Sequence, residues 1–343
     1  MILGAIGGWM QDALDNSAVG RLMHGPTDVG ELRPSTAAEL AVVVRSGLRE
    51  SSHIGAAVVL DPAGATLAEH GDADALLYPR STMKFFQAMA VRRAGVRLEG
   101  EELVLSAASH IGTPEHVRVV RSILARAGLG EDALQCPAAW PMDSESRRLA
   151  TEPARITMGC SGKHAAFLLA CVENGWPIDS YLDPSHPLQR LILTTVEDYV
   201  GEIISHSGID GCGAPVHAMS LRALARGVGR VGVTSDDDEG RLAAAIRRFP
   251  WALDNESVRT VITETGLVAK SGAEGVFVAA EADGTAVAIR VLDGSQRALA
   301  PVALSLLMQH GTLGLEVGER VTAAVTEKVF GGDEVVGELY SVV

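Results

Sequence analysis

Five stretches of this chain set side chains together that could do chemistry. Ser81-Thr82-Met83-Lys84 places a hydroxyl three residues before an amine. On a helix, positions i and i+3 share a face, so the amine reaches the hydroxyl. A serine hydroxyl is a weak nucleophile until a base takes its proton. Lysine is that base only when burial or a neighbouring cation lowers its pKa. Pro79-Arg80 breaks the chain before Ser81 and an apolar segment follows. This places the hydroxyl at a helix start, where free N–H groups favour developing negative charge. Lys270-Ser271-Gly272 brings a second amine far downstream, and Ser109-His110-Ile111 a further hydroxyl between the two. An isolated S-x-x-K recurs by chance; the ordered set carries more weight.

The fourth and fifth stretches carry thiols. Met158-Gly159-Cys160-Ser161-Gly162-Lys163-His164 sets Cys160 and Lys163 three apart across a helix start. Gly208 to Pro215 is a glycine-rich loop holding Asp210, Gly211 and Cys212. Two thiolates and a third ligand suit a Zn2+ ion with one tetrahedral position open. Lysine must lose its proton to ligate, at about 4–5 kcal/mol at neutral pH. Structural zinc sites release about 10–16 kcal/mol, so that cost is bearable. His164 is the more conventional donor, and chemistry alone leaves both open. Cys160 and Cys212 are equally readable as small buried apolar residues. Cys171 reads as core, and Cys136, before Pro137, as a loop residue. A phosphate-binding loop is excluded: its first glycine is missing and His164 replaces the Ser/Thr after lysine.

These residues need elements to hold them. Ile54–Leu60 and Ala65–Glu69 read as strands joined by an Asp-Pro-Ala-Gly turn. Gly275–Glu281 and Ala286–Leu292 form a second hairpin, tightened by Asp283-Gly284. Between them the pattern is helical. A segment starts at Ser81, a helix runs from Pro114 to a stop at Gly128, and Ser161 caps one through Asn174. Further helices span Pro187 to near Gly201, Glu239–Phe249, and a last one from Pro301 to His310; Asp236–Glu239 reads as a solvated loop. Strands early and late with helices inserted predict an α+β fold: an antiparallel sheet from both chain ends, packed with helices, plus a helical lobe. Residues 1–32 read as an N-terminal extension or arm, and 33–343 as a single domain. Its sheet lobe covers about 39–78 and 255–343, and its helical lobe about 81–250.

Bulk composition narrows the function. The 343 residues carry 47% hydrophobic, 21% charged and only 4% aromatic side chains, a globular enzyme-like balance. The net charge of −14 comes with no basic stripe, which argues against a nucleic-acid partner. No apolar run reaches the roughly 18 residues of a membrane span. Asp12 and Asp15 precede the first basic residue, Arg21, unlike a secretory signal. We expect a cytoplasmic protein whose four cysteines are thiols or metal ligands rather than disulfides.

S-x-x-K followed by K-[ST]-G is the order found in β-lactamases and penicillin-binding proteins, although their S-D-N is not intact here. The chain as a whole resembles the L-asparaginase II family, the Rhizobium etli-type, zinc-binding asparaginases. The matching stretches are Arg45–Ser51 with His53, Tyr78–Lys84, Ala108–His110 and Pro114–His116. They continue with Cys160–Ala166, Asn174–Trp176, Tyr181–Asp183, His186–Arg190, Gly208–Pro215 and Lys270–Gly275. The resemblance implies a serine β-lactamase-like fold, a homodimer, and hydrolysis of the small molecule asparagine. By motif it makes Ser81 the nucleophile and Lys84 its base, with Ser109 and Lys270 as a second catalytic pair. It places Zn2+ on Cys160, Lys163 and Cys212, favouring Lys163 over His164. Arg80, His110, Asp210, Gly211 and Gly272 become substrate-binding positions. Gly159, Ile111 and Thr113 depart from the family pattern and bear on substrate preference and rate. Two rivals follow: a penicillin-recognising hydrolase or peptidase of the same fold, and a zinc-stabilised amino-acid-binding protein without turnover.

Overall fold

A computed structural model of the protein describes residues 30–233, 235 and 238–343. The expected N-terminal arm therefore lies, apart from its last three residues, outside the described residues, and Leu32–Val343 forms one compact unit. Strands β1 (Ala38–Arg45), β2 (Leu48–Leu60) and β3 (Thr66–His70) open the chain, and β4 (Leu76–Leu77) leads into a 3-10 turn, Arg80–Met83. Helices α1 (Lys84–Arg93), α2 (Gly100–Ser106), α3 (Pro114–Arg126), α4 (Ser144–Leu149), α5 (Ser161–Glu173) and α6 (Pro187–Val200) follow. Short strands β5 (Ser207–Ile209), β6 (Pro215–His217) and β7 (Met219–Ser220) precede α7 (Leu221–Gly232), α8 (Asp238–Arg248) and α9 (Glu256–Thr265). The chain then returns through β8 (Val268–Gly272), β9 (Val276–Ala280) and β10 (Ala286–Val291). It closes with α10 (Leu299–His310), α11 (Leu315–Val325), β11 (Lys328–Gly331) and β12 (Glu334–Ser341).

The main sheet runs β11-β12-β1-β2-β10-β9-β8, with β3 also on β2, and its pairings are antiparallel. It is the α+β sheet from both chain ends that the patterning predicts. β2 is long enough to serve two partners on one edge, β1 against its first half and β3 against its last residues. Every residue of β9 is buried. Side chains alternate across a strand, so both sheet faces are covered there. Helices α7 and α10 both pack on β9 and β10.

Several expectations are corrected. β1, β12 and β11 were not anticipated, and neither were α9 and α11, so the Pro301 helix is not the last element. It begins two residues earlier, at Leu299. The helix expected at Glu239 starts at Asp238, inside the acidic run read as loop; 236 and 237 lie outside the described residues. Ser161 does not cap α5. Cys160 holds that position, and the Ser161 hydroxyl instead donates to the Ile156 carbonyl at 2.7 Å.

Two helices make the centre of the helical lobe. α1 is buried from Lys84 through Arg92, and α5 from Ser161 through Cys171. A helix buried all round has no solvent face to fix its direction, so its ends carry the positional information. The two chemistry-bearing motifs occupy those ends.

Candidate active site

The Ser81 motif rests on a strained turn. Arg80 has φ +51, the left-handed region that non-glycine residues rarely adopt. Strain of this kind gathers at functional sites. Pro79 accepts the Thr82 hydroxyl at 2.7 Å and the Thr82 N–H at 3.2 Å, which closes a 3-10 turn rather than the expected α-helical start. Residues i and i+3 eclipse in a 3-10 turn, so Ser81 and Lys84 remain on one side. Gly272 packs over the same turn: a Cβ there would lie 2.8 Å from the Pro79 carbonyl oxygen. Glycine is what lets β8 approach so closely.

Lys84, Lys163 and Lys270 are 1%, 2% and 0% exposed. A buried ammonium is costly without partners, so their bonds define the site. Lys84 Nζ donates to the Ala108 carbonyl at 2.7 Å and to Ser109 Oγ at 2.9 Å. Lys270 Nζ reaches the same Ser109 Oγ at 3.1 Å and Asp254 Oδ2 at 3.2 Å. Ser109 is held in place through its own N–H, which donates to the Leu253 carbonyl at 2.7 Å. The hydroxyl from the loop after α2 thus bridges an amine from α1 and an amine from β8. Burial pulls the Lys270 amine down to about 8; Asp254 resists this and Lys84 reinforces it. Asp254, absent from every motif, is the residue that reading the sequence missed. It directly precedes Asn255, which caps α9, and only that junction could have signalled it.

The thiols converge beside these amines. Lys163 Nζ lies 3.2 Å from Cys212 Sγ. A hydrogen bond from Cys212 holds the Cys160 thiol well below the ordinary range, with Lys84 and Lys163 adding to this against burial. The same bond, with burial, pushes Cys212 up. Lys163 is raised: burial opposes its charge, but the two sulfur atoms outweigh burial. His164 turns elsewhere, with Nδ1 2.7 Å from the Tyr181 hydroxyl. Cys136 and Cys171 are buried thiols that burial raises to about 11 and about 12.

The remaining positions divide. Arg80 Nε donates to Asp210 Oδ1 at 2.8 Å, and both side chains keep some exposure. Burial works against the Asp210 charge, but Lys163, the Gly211 N–H and Arg80 together hold its carboxyl below the usual range. Gly211 is exposed and its N–H donates to Asp210 Oδ1 at 2.9 Å. His110 is fully buried, accepts the Gly112 N–H on Nδ1 at 3.1 Å, and directs Nε2 at Ser161 Oγ, 2.8 Å away. Burial keeps it neutral, with His116, Lys84 and Lys270 adding to the effect. Both of its nitrogens are engaged by protein groups, so it ties the Ser109 loop to the start of α5. The main-chain carbonyl of Gly272 accepts Gln296 Nε2 at 2.9 Å.

The sequence profile of the L-asparaginase II family matches residues 41–341. The chain belongs to the L-asparaginase II family. That membership makes it an asparaginase-type amidohydrolase with a small-molecule substrate. No curated protein sequence matches the chain. Among solved structures, it is similar to a β-lactamase from Mycobacterium bovis, at 14% identity and TM-score 0.39, covering 75% of this chain and 95% of that one. It is also similar to a probable glutaminase from Bacillus subtilis complexed with 6-diazo-5-oxo-L-norleucine, at 12% identity and TM-score 0.35, covering 75% and 83%. Among the described residues, no helix of this family member is long and apolar enough to cross a membrane.

Proposed function

We propose that this L-asparaginase II family member hydrolyses the side-chain amide of L-asparagine to L-aspartate and ammonia, with Ser81 as nucleophile. One observation carries the reading: two buried amines, Lys84 and Lys270, converge on Ser109 Oγ, and Lys84 stands one 3-10 turn after Ser81. Ser81 Oγ attacks the amide carbon while Lys84 takes the hydroxyl proton. A backbone N–H at the start of the turn would hold the developing oxyanion, since those of Thr82 and Lys84 are already engaged within it. The tetrahedral adduct collapses, the protonated amine leaves as ammonia, and an aspartyl ester on Ser81 remains. Water then cleaves the ester, with a neutral lysine accepting its proton. Ser109 and Lys270 form the second pair, which moves the proton between the amines. Arg80 and Asp210 present opposite charges to the carboxylate and amine of an amino-acid substrate, with the Gly211 backbone beside them.

The thiol cluster fits a bound Zn2+. Its donor chemistry is suitable: a thiol already favouring the thiolate, a second thiol hydrogen-bonded to it, and an amine 3.2 Å from that second sulfur. Lys163, whose Nζ lies 3.2 Å from Cys212 Sγ, is the third protein donor in this reading. Cys160, Lys163 and Cys212 would hold the ion with one position open, and when bound it supplies a Lewis acid that orients a polar group of the substrate. Filling the site requires protons to leave Cys212 and Lys163, so occupancy rises with pH. We also infer a cytoplasmic homodimer.

The test is a coupled assay of ammonia from asparagine, glutamine and related amides, with and without zinc, alongside a chromogenic β-lactam. Ammonia from asparagine with the β-lactam intact is expected. Undiminished release by Ser81→Ala would refute the nucleophile, and asparagine binding without turnover would favour a binding protein.

A further inference from the structure

Asp254 is 6% exposed, and its carboxylate lies against the amine at the centre of the site. Oδ2 accepts from Lys270 Nζ at 3.2 Å, from the Ser271 N–H at 3.1 Å and from the Ser271 hydroxyl at 2.9 Å. Oδ1 accepts the Asn255 N–H at 2.9 Å. A merely structural carboxylate would be satisfied by the backbone and Ser271. Donor counting gives the Lys270 contact a further consequence. An ionised carboxylate accepts only, whereas a neutral amine offers two N–H groups and one lone pair. Asp254 therefore always takes an N–H from Lys270. Lys84 has an acceptor-only anchor of its own, the Ala108 carbonyl. Ser109 has one proton and two amines beside it, so it can donate to one of them alone. Each amine therefore has one N–H anchored and could present its lone pair to Ser109; the two differ in that the anchor of Lys270 is a carboxylate and that of Lys84 a neutral carbonyl, so Lys270 is the amine whose ammonium form the anchor favours.

We propose that Asp254 is a positioning residue that turns the lone pair of Lys270 toward Ser109 Oγ, and so decides which of the two amines takes the proton. This rests on the amide-hydrolysing reading above. The charged and titratable groups facing Lys270 are Asp254 and Cys160, which favour its ammonium form, and Lys84, which opposes it; burial holds His110 neutral. Removing the carboxylate leaves the amine with less to hold its proton, so it titrates at lower pH and becomes a weaker base.

The experiment uses the full chain loaded with zinc and compares Asp254→Asn with Ser271→Ala. Three readouts are taken: melting temperature, kcat and KM for ammonia release across pH, and the 13Cε shift titration of Lys270, assigned by Lys270→Arg. Asp254→Asn is expected to lower the Lys270 midpoint by at least about 1 pH unit. It is also expected to lower the plateau kcat about ten- to a hundredfold, with KM held within about twofold. Ser271→Ala, which keeps the carboxylate, is expected to leave the midpoint in place. An unmoved midpoint in Asp254→Asn overturns the proposal, as does a Ser271→Ala variant that reproduces all of its changes. Should Asp254→Asn not fold, Asp254→Glu takes over, retaining the charge but shifting it by one methylene. Reduced kcat at an unchanged midpoint then supports the proposal, and unchanged kcat overturns it. If the wild type releases no ammonia from any amide, the amidohydrolase reading fails, and the Lys270 titration still judges Asp254 on its own.

Discussion

Lys270 and Lys163 are both buried amines, yet their surroundings drive them in opposite directions. Burial pulls on both. At Lys270 it wins, because with Lys84 adding to the lowering it outlasts the opposing pull of Asp254 and, more weakly, Cys160. At Lys163 it loses, because Cys160 and Cys212 together restore the charge. The amine that β8 contributes is thus readied to accept a proton, while the α5 amine is held charged by the sulfur atoms beside it. Burial alone does not make a lysine basic or inert; the count and sign of its near neighbours does.

The comparison can be broken most severely on the serine side. Ser81→Ala is expected to cut ammonia release by at least about a thousandfold while the melting temperature stays near wild type. Retention of more than a tenth of the activity would remove the serine side from the chemistry. On the thiol side, Cys212→Ser is expected to lower zinc affinity at least about a hundredfold, read by metal content after dialysis against a graded chelator. Full occupancy in that variant would place the metal elsewhere. Between the two sides stands pH. An amine acting as base must be neutral, and Lys270 is protonated below about 8. The rate is therefore expected to fall about tenfold per pH unit below that value and to level off above it, a dependence that Lys270→Arg abolishes. A flat profile from 6 to 9 would show that Lys270 does not titrate in the reaction. The smallest effect concerns the rim: Asp210→Asn should raise KM several-fold and change kcat little, since it grips substrate rather than reacting.

Much of this was legible in the sequence, and the misses share a cause. The two inner hairpins announced themselves through Asp-Pro-Ala-Gly and Asp-Gly turns between apolar runs. β12 did not, because Glu334, Val335 and Tyr340 are exposed and its main partner, β1, lies at the opposite end of the chain. Lys84 and Ser81 were found by spacing, but the bond from Lys84 to Ser109 belongs to tertiary packing, which spacing does not encode. Of the neighbours Lys163 and His164, histidine is the more conventional donor, and only the family resemblance favoured the lysine. Helix α5 sends Lys163 toward Cys212 and His164 toward Tyr181, a difference of direction that spacing does not encode. Asp254 carried no motif because its role exists only once β8 lies beside it.

The bond from Lys270 to Ser109 joins positions 161 residues apart. A ribosome must therefore release most of the polypeptide before the second amine can take its place. Until then the growing chain has the hydroxyls and the first lysine without their counterpart. Contacts of such span are reached late and slowly in folding. Catalytic competence then becomes a report on completed synthesis, and any fragment ending before β8 is expected to be inert.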